Sequence, residues 1–240
     1  MNPKVLIIIP AYNEEKNIEK VVRNIEENFS QYDYIVVNDG STDSTKDVLE
    51  RNHFHYLDLP QNLGIGGGVQ TGYKYADANG YDIAIQIDGD GQHDPAFIAQ
   101  LIQPILDGQA DMVIGSRFLE KEGFQTSSMR RLGIRYFKHL LHALCGVTIT
   151  DATSGFRASS AALTRYFTKD YAEDYPEPEA ILSSVLNGFR VMEIPVVMRE
   201  RQGGESSINA LKSVYYMIKV TLAIIISRIR FWRKREKPCF

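Results

Sequence analysis

The chain has 240 residues, 44% of them hydrophobic and 24% charged, so it is long enough and apolar enough to bury a full core. This composition excludes a disordered chain, and the formal net charge of -3 argues against a general nucleic-acid binder. Two cysteines are too few for a disulfide framework or a zinc site, so we expect a reducing, cytoplasmic environment.

Five short apolar runs in the first half of the chain predict β-strands, and helical patterns separate them. The runs cover residues 5–9, 34–38, 55–58, 82–87 and 112–114. Their hydrophobicity is continuous rather than alternating, which is typical of strands covered on both faces. The sequence therefore predicts an α/β fold with a mostly parallel sheet flanked by helices.

Two helix starts and one glycine-rich segment stand between these runs. Residues 13–15 precede an amphipathic run with Ile18, Val21, Val22 and Ile25 on one face, and Asp94 with Pro95 opens another helix. The glycines of residues 64–68 match neither the Walker pattern nor the dinucleotide fingerprint. We therefore predict that they pack closely before a helix.

Polar clusters follow three of the predicted strands. They occupy residues 10–14, 38–43 and 88–93. Ligands of open α/β sheets bind beyond the carboxyl ends of the strands, so we expect the three clusters to face one crevice.

The third cluster predicts a cation site. Asp88 and Asp90 are separated by one glycine, and carboxylate oxygens in small number suit Mg²⁺ or Mn²⁺ bound partly through substrate phosphates. The structural alternative is an Asp-Gly turn between a strand and a helix. Asp39, after the second strand, is placed to accept hydrogen bonds from a ribose or a base.

Together these clusters resemble the family 2 glycosyltransferases of the GT-A fold, and closely the branch of dolichol-phosphate mannose synthase and bacterial polyprenyl-phosphate glycosyltransferases. Six motifs carry the resemblance, at residues 9–14, 37–43, 88–93, 115–117, 151–157 and 201–207. The resemblance implies a Rossmann-like GT-A catalytic domain over residues 1–208, followed by a C-terminal amphipathic helix in residues 209–240.

The resemblance also implies which residues bind the donor. The nucleoside would be held by Pro10, Tyr12, Glu14 and Asp39. Asp88 would support the nucleotide on its sugar-diphosphate side, and Asp90 with Gln92 would bind the metal, Mg²⁺ or Mn²⁺.

A basic floor for the donor diphosphate and the lipid phosphate is implied in the same way. It would consist of Arg117, Arg131 and Arg201, with Ser206 assisting, because arginine forks suit phosphate. The implied catalytic set is Asp88, Asp90, Arg117 and Arg201.

Two further motifs contribute candidates whose roles stay open. Asp151 and Arg157 frame a polar motif that the family places near its active site, although Asp151 could instead cap or orient Arg157. Glu177 or Glu179 would position the sugar or the acceptor, although Pro178 and Glu179 equally suit a helix start.

The implied reaction is an inverting transfer from a nucleotide-sugar to polyprenyl (undecaprenyl) phosphate, for cell-envelope glycan synthesis. UDP-glucose and UDP-N-acetylglucosamine are the favoured donors, and GDP-mannose is a further one. A phosphate acceptor needs no catalytic base. Two alternatives remain: a saccharide hydroxyl acceptor, which would require a base such as Glu179 or Asp151, and an inactive GT-A membrane scaffold.

The C-terminal segment combines an apolar helical stripe with a basic end. The stripe consists of Val214, Met217, Ile218, Thr221, Leu222, Ile225, Ile226 and Ile229, and cations follow from Arg228 to Lys237. This pattern predicts a helix that attaches the enzyme peripherally to the cytoplasmic face of the cell membrane. The helix could instead pack on the domain, on a second copy of the chain or on a separate membrane-protein partner.

Overall fold

A computed structural model of the chain describes residues 3–120, 128–173, 176–199 and 210–235. Within these residues a seven-stranded sheet is flanked by helices. The strands are β1 (Val5–Ala11), β2 (Asp33–Asn38), β3 (Tyr56–Asp58), β4 (Ile83–Gln86), β5 (Met112–Ser116), β6 (Arg157–Ser160) and β7 (Val191–Pro195). The helices are α1 (Ile18–Asn28), α2 (Thr45–Arg51), α3 (Gly64–Ala78), α4 (Ile98–Leu106), α5 (Ser128–Cys145), α6 (Ala161–Phe167), α7 (Pro176–Leu186) and α8 (Ala210–Arg235).

The strand order is β3-β2-β1-β4-β6-β5-β7, and every pair is parallel except those of β6, which runs antiparallel to β4 and β5. The predicted α/β fold with a mostly parallel sheet is therefore confirmed, and the five predicted strands correspond to β1 to β5. The sequence did not predict β6 or β7. The first has the polar sequence Arg-Ala-Ser-Ser, and the second is only partly buried, so neither shows a continuous apolar run.

Covering the sheet on both faces creates two cores. In β1, the side chains of Val5, Ile7 and Ile9 enter one core, whereas those of Leu6 and Ile8 enter the other. Successive side chains of a strand point to opposite faces, so a strand with helices on both sides is apolar throughout. In β1 the polar residues therefore follow the end of the strand.

Helix α1 buries the four apolar residues that the sequence placed on its inner face, but it begins at Ile18 rather than near residue 13. The N–H groups of Asn17 and Ile18 both donate to the carbonyl oxygen of Glu14 at 2.9 Å. Residues 13–15 therefore remain outside the helix, in the loop after β1.

The glycine cluster lies inside the first turns of α3 rather than before the helix. A β-carbon at Gly66 would be 1.9 Å from the carbonyl oxygen of Ala172, and one at Gly72 would be 2.2 Å from Cγ2 of Ile8. The close packing predicted for the cluster is therefore confirmed at Gly66, and it extends one turn further to Gly72.

Substitution Gly72→Ala is expected to lower the free energy of unfolding by about 1–3 kcal/mol, because the new methyl group overlaps Ile8 in β1. Gly68→Ala in the same helix is the matched control. Its β-carbon would meet nothing nearer than 3.8 Å, so the better helix propensity of alanine should leave stability equal or higher by up to about 1 kcal/mol. Urea unfolding of both variants checks this, and equal losses would contradict the packing argument.

Helix α8 has two apolar faces among its described side chains. Val220 and Ile224 are buried and pack toward α5 and α7. The outer face exposes Ile218, Leu222, Ile225, Ile226 and Ile229. The predicted helix is present, and part of its predicted stripe, Met217 and Thr221, also contacts the domain. No helix in the described part of the chain combines the length and apolar character that crossing a bilayer requires.

Candidate active site

The loops that follow β1 and β2 are joined at the carboxyl edge of the sheet. The Asn13 N–H donates to Ser41 Oγ at 3.0 Å, and Asn13 Oδ1 accepts from the Thr42 N–H at 2.8 Å. The Glu14 N–H donates to Thr45 Oγ1 at 2.9 Å. These bonds fix two walls of a crevice beyond the strand ends, where open α/β sheets bind ligands.

The residues predicted to hold a nucleoside lie around this crevice. Pro10 and Asp39 are buried, Glu14 is half-buried and Tyr12 is 48% exposed. A β-carbon at Gly68 would be 3.8 Å from Asp39 and 3.9 Å from Pro10, so the first turns of α3 form the base of the same region. An exposed aromatic ring beside a buried carboxylate suits a stacked base and a hydrogen-bonded ribose or base.

The Asp39 carboxylate is held in place by the start of α3. Its Oδ1 accepts from the Leu63 N–H at 2.7 Å. Burial raises the pKa of Asp39, and hydrogen bonds from the Leu63 and Gly64 N–H groups partly offset that effect. The carboxylate is thus a rigid acceptor at the edge of the crevice.

The loop after β4 presents Asp88 through contacts on both sides. Its Oδ1 accepts from Gln86 Nε2 at 3.1 Å, and its backbone N–H donates to Nδ1 of His93 at 3.1 Å. His93 is buried and stacks on Phe156, with ring centroids 5.1 Å apart. Because Nδ1 accepts a hydrogen bond, the proton of the neutral ring is on Nε2, which lies 3.7 Å from Asp88 Oδ2.

Asp90 and Gln92 follow in the same loop. Asp90 Oδ1 accepts from the Gln92 N–H at 3.0 Å, and a β-carbon at Gly89 would be 3.1 Å from the carbonyl oxygen of Pro10. The described residues contain no group of three or more His, Cys, Asp or Glu side chains that could hold a metal ion. A few carboxylate and amide oxygens suit Mg²⁺ or Mn²⁺ that takes its other ligands from a diphosphate.

Arg117 and Asp151 form a two-point ion pair at the end of β5. Arg117 Nε donates to Oδ2 and Nη2 donates to Oδ1, both at 2.7 Å. The Asp151 side chain is fully buried and that of Arg117 is 14% exposed. Burial lowers the pKa of Arg117, but the hydrogen bonds and charge of Asp151, together with the charge of Asp88, raise it overall. The pair therefore places a permanent cation within electrostatic range of the Asp88 loop.

The other predicted phosphate ligands are not assembled around Arg117 by the described residues. Arg131 is exposed near the start of α5. Arg201 and Ser206 lie outside the described residues. Their roles stay predictions.

Arg157 is an interior residue. Its side chain is buried, and its guanidinium donates to the carbonyl oxygens of Ser154 at 2.7 Å, Glu177 at 2.8 Å and Ala152 at 3.2 Å. Sequence reasoning placed Arg157 near the active site and considered that Asp151 might orient it. The second point needs correction, because Asp151 binds Arg117, whereas Arg157 donates to interior backbone carbonyl oxygens. The first point stays a prediction.

Glu177 and Glu179 point to different parts of the molecule. Glu177 is half-buried; burial raises its pKa, the charge of Arg157 lowers it, and that of Asp88 raises it further. Its carboxyl group therefore lies on the Asp88 side of α7. Glu179 Oε1 instead accepts from Ser227 Oγ of α8 at 2.5 Å. Glu179 is therefore bound to α8, and the role of Glu177 in orienting the sugar or the acceptor stays a prediction.

Substitution Glu177→Gln is expected to raise the free energy of unfolding near neutral pH. A carboxyl group whose pKa is higher in the folded chain binds protons more tightly there, so its contribution to stability falls as the pH rises above the ordinary value of 4.5. Glutamine removes that effect at nearly constant volume. Urea unfolding at pH 7 and at a pH below 4.5 checks this. The extra stability of Glu177→Gln should be present at neutral pH and absent at the lower pH. Equal extra stability at both pH values would contradict a raised pKa for Glu177.

Sequence reasoning missed Glu193 in β7. Its Oε2 accepts from the Thr150 N–H at 2.7 Å and its Oε1 from the Asp151 N–H at 2.8 Å. The available signal was a charged residue inside the run Val-Met-Glu-Ile-Pro. That signal does not identify the partners of Glu193, which lie more than forty positions earlier in the chain.

Curated relatives act on isoprenoid phosphates, as their names state. UDP-N-acetylglucosamine–dolichyl-phosphate N-acetylglucosaminyltransferase of Methanococcus voltae is 33% identical over 215 residues, with 80% of this chain and 84% of the relative covered. Polyprenol monophosphomannose synthase of Mycolicibacterium smegmatis is 28% identical over 234 residues (90% and 85% covered). Undecaprenyl-phosphate mannosyltransferase of Micrococcus luteus is 29% identical over 215 residues (86% and 88% covered).

Solved structures with the same fold include glucosyl-3-phosphoglycerate synthase of Mycobacterium tuberculosis bound to phosphoglyceric acid. It has a TM-score of 0.72 and 21% identity, with 95% of this chain and 80% of that chain covered. The same synthase with Mn²⁺, uridine-diphosphate and phosphoglyceric acid has a TM-score of 0.70 and 22% identity (95% and 78% covered). This likeness establishes the GT-A fold. Residues 6–167 match Glycosyl transferase family 2, and the chain belongs to that family.

Proposed function

We propose that this glycosyltransferase moves a sugar from a nucleotide-sugar to the phosphate of a polyprenyl lipid such as undecaprenyl phosphate. The observation that carries the proposal is the buried Arg117–Asp151 pair beside Asp88. In the proposed reaction it would supply a fixed cation to the phosphate acceptor and the departing diphosphate, which both carry negative charge. The relatives named for dolichyl, polyprenol and undecaprenyl phosphates support the same class of acceptor.

The proposed transfer inverts the anomeric carbon. An oxygen of the lipid phosphate forms a bond to that carbon while its bond to the diphosphate oxygen breaks, and the nucleoside diphosphate leaves. A phosphomonoester is already largely ionised at neutral pH, so no side chain needs to remove a proton. The hydrogen bonds of Asp151 to Arg117 and of Glu179 to Ser227 agree with this, because both carboxylates already have partners.

We assign the donor site to the crevice beyond β1, β2 and β4. The nucleoside would be bound by Pro10, Tyr12, Glu14, Asp39 and Asp88. Asp90 and Gln92 would hold Mg²⁺ or Mn²⁺, which when bound neutralises charge on the diphosphate. Arg117, Arg131, Arg201 and Ser206 would bind phosphate groups, and Glu177 would orient the sugar or the acceptor.

Peripheral attachment to the cytoplasmic face of the cell membrane is part of the proposal. The outer face of α8 exposes apolar side chains that end in Trp232, which is 62% exposed. Arg228 and Arg230 lie in the same helix, and further cations follow in the sequence. An apolar face with a basic end suits an anionic lipid surface, where the acceptor would be found. A second copy of the chain or a membrane-protein partner would be the competing occupants of that face.

Two rival functions lead to different experimental outcomes. A transferase that uses a saccharide hydroxyl would not depend on a lipid phosphate, and the synthase structures with phosphoglyceric acid show that the fold accommodates a non-lipid acceptor. An inactive membrane scaffold would bind membranes without turnover.

The test is transfer of radiolabelled sugar to undecaprenyl phosphate from UDP-glucose, UDP-N-acetylglucosamine and GDP-mannose, each with Mn²⁺, with Mg²⁺ and with a chelator. We expect metal-dependent label in the lipid fraction from one of the two UDP-sugars. A parallel reaction with an added saccharide in place of the lipid tests the hydroxyl acceptor, and label transferred only to that saccharide would favour it. Recovery of all the label as unreacted donor in both reactions would favour the scaffold.

A further inference from the structure

Glu193 lies behind the catalytic crevice and binds a backbone segment rather than a ligand. Its two carboxylate oxygens accept the N–H groups of Thr150 and Asp151, at 2.7 and 2.8 Å, and each lies 3.0 Å from Thr150 Oγ1. The Thr150 hydroxyl also lies 2.7 Å from Ser116 Oγ at the end of β5. One carboxylate in β7 thus fixes two consecutive residues of the loop between α5 and β6.

The second of those residues holds Arg117. Asp151 uses both oxygens for the guanidinium, and Oδ2 also accepts the Arg117 backbone N–H at 3.2 Å. Rotation of the Asp151 backbone would therefore rotate the guanidinium plane. Because the Asp151 side chain is fully buried, few alternative positions are open to it.

A carboxylate is required at position 193 for a chemical reason. Two N–H donors approach different oxygens of the same group, and only a carboxylate offers two acceptor oxygens. A glutamine would direct its NH₂ group at one of these N–H groups and leave that donor unpaired. The half-buried position of Glu193 makes such an unpaired group costly.

We propose that Glu193 is a positioning residue that acts through Asp151 to set the orientation of Arg117 for phosphate binding. The phosphate ligand in this inference rests on the proposed function, whereas the contacts among Glu193, Asp151 and Arg117 do not depend on it. Glu193 does not touch the substrate in this proposal. Its effect should therefore pass entirely through Arg117.

The first test follows the Arg117 Nε–H by NMR in ¹⁵N-arginine-labelled full-length protein, with its signal assigned by Arg117→Lys. We expect hydrogen exchange at this group to be about tenfold faster in Glu193→Gln, equivalent to about 1.4 kcal/mol of lost protection. The matched control is Asp111→Asn at the opposite end of β5 and β7. Asp111 also accepts a backbone N–H and an arginine Nε–H, both from Arg190, at 2.9 and 3.0 Å. The Asp111→Asn substitution should leave hydrogen exchange at the Arg117 Nε–H unchanged.

The second test is a double-mutant cycle in the transfer assay with undecaprenyl phosphate. We expect Glu193→Gln to raise the acceptor KM about tenfold while the affinity for UDP with Mn²⁺ stays within about twofold. Combining it with Arg117→Lys should add little to Arg117→Lys alone, because both changes disturb the same contact. If Glu193→Gln does not fold, Thr150→Val removes the hydroxyl contacts with Glu193 and Ser116 but keeps both backbone N–H bonds, and it should give a smaller effect of the same kind.

Unchanged Arg117 exchange in Glu193→Gln, with a stability loss like that of Asp111→Asn, would overturn the proposal. Additive effects in the cycle would overturn it as well. If the wild-type protein transfers no sugar to the lipid while Arg117 exchange is still faster in Glu193→Gln, the acceptor assignment fails and the positioning role stands.

Discussion

Substitution Asp90→Asn is expected to lower metal-dependent turnover by about 10²–10³-fold, the loss typical of removing one preorganised electrostatic contact. Asp90 Oδ1 is already oriented by the Gln92 N–H, so asparagine preserves the shape of the loop and removes the charge. In the proposed site, Mg²⁺ or Mn²⁺ would then have one anionic ligand fewer. Initial rates measured over a range of Mn²⁺ concentrations check this, and we expect higher metal concentrations to restore part of the rate.

Asp94→Asn is the matched control in the same loop. Asp94 caps the turn at Pro95–Phe97 by accepting the Ala96 N–H at 3.1 Å, and it pairs with Arg199 at 2.6 Å. We expect a stability loss of about 1 kcal/mol and little change in the response to metal. Turnover of Asp90→Asn equal to that of Asp94→Asn would remove Asp90 from the metal site.

Substitution Arg157→Met is expected to lower the free energy of unfolding by roughly 3–5 kcal/mol, because three interior carbonyl oxygens lose their donor together. Urea unfolding measures this loss directly. In the fraction that remains folded, the KM values for donor and acceptor should stay near those of the wild type, because the three hydrogen bonds of the guanidinium all go to backbone carbonyl oxygens.

Arg165→Met is the control for loss of an arginine at the surface. Arg165 pairs with Asp77 at 3.2 Å, but its side chain is 67% exposed, so the change should stay within about 1 kcal/mol. A stable Arg157→Met protein with a higher KM for donor or acceptor would instead favour the place near the active site that the sequence motif suggested for Arg157.

The sheet could be predicted in part because its signals are local. Continuous apolar runs such as that of β1 require helices on both faces, and this requirement predicts a parallel α/β fold. Strands β6 and β7 lack such runs. Strand β6 pairs on both sides with β4 and β5, and its polar residues become buried only through that pairing.

The acidic residues of the candidate site could also be predicted from the sequence, but the roles of its arginines could not. Asp39, Asp88 and Asp90 directly follow apolar strands, and parallel neighbours bring such positions to one edge. The distinction between Arg117 and Arg157 was not visible, because both arginines belong to polar motifs. Arg157 is interior because its donors meet three backbone carbonyls, whereas Arg117 lies at the end of β5 with Asp151 beside it.

By itself, the sequence determined the fold class, the family motifs, the acidic loop after β4 and the amphipathic character of α8. These depend on hydrophobic periodicity and on residues adjacent in the chain. Only the tertiary structure decided that Asp151 binds Arg117 and that Glu193 fixes Asp151. It also decided that Glu177 and Glu179 face different parts of the molecule. The packing of Val220 and Ile224, which holds α8 on the domain, was likewise visible only in the structure. Each of these depends on partners 30 or more positions apart, and their pairing is set by how the strands and helices pack rather than by any local pattern.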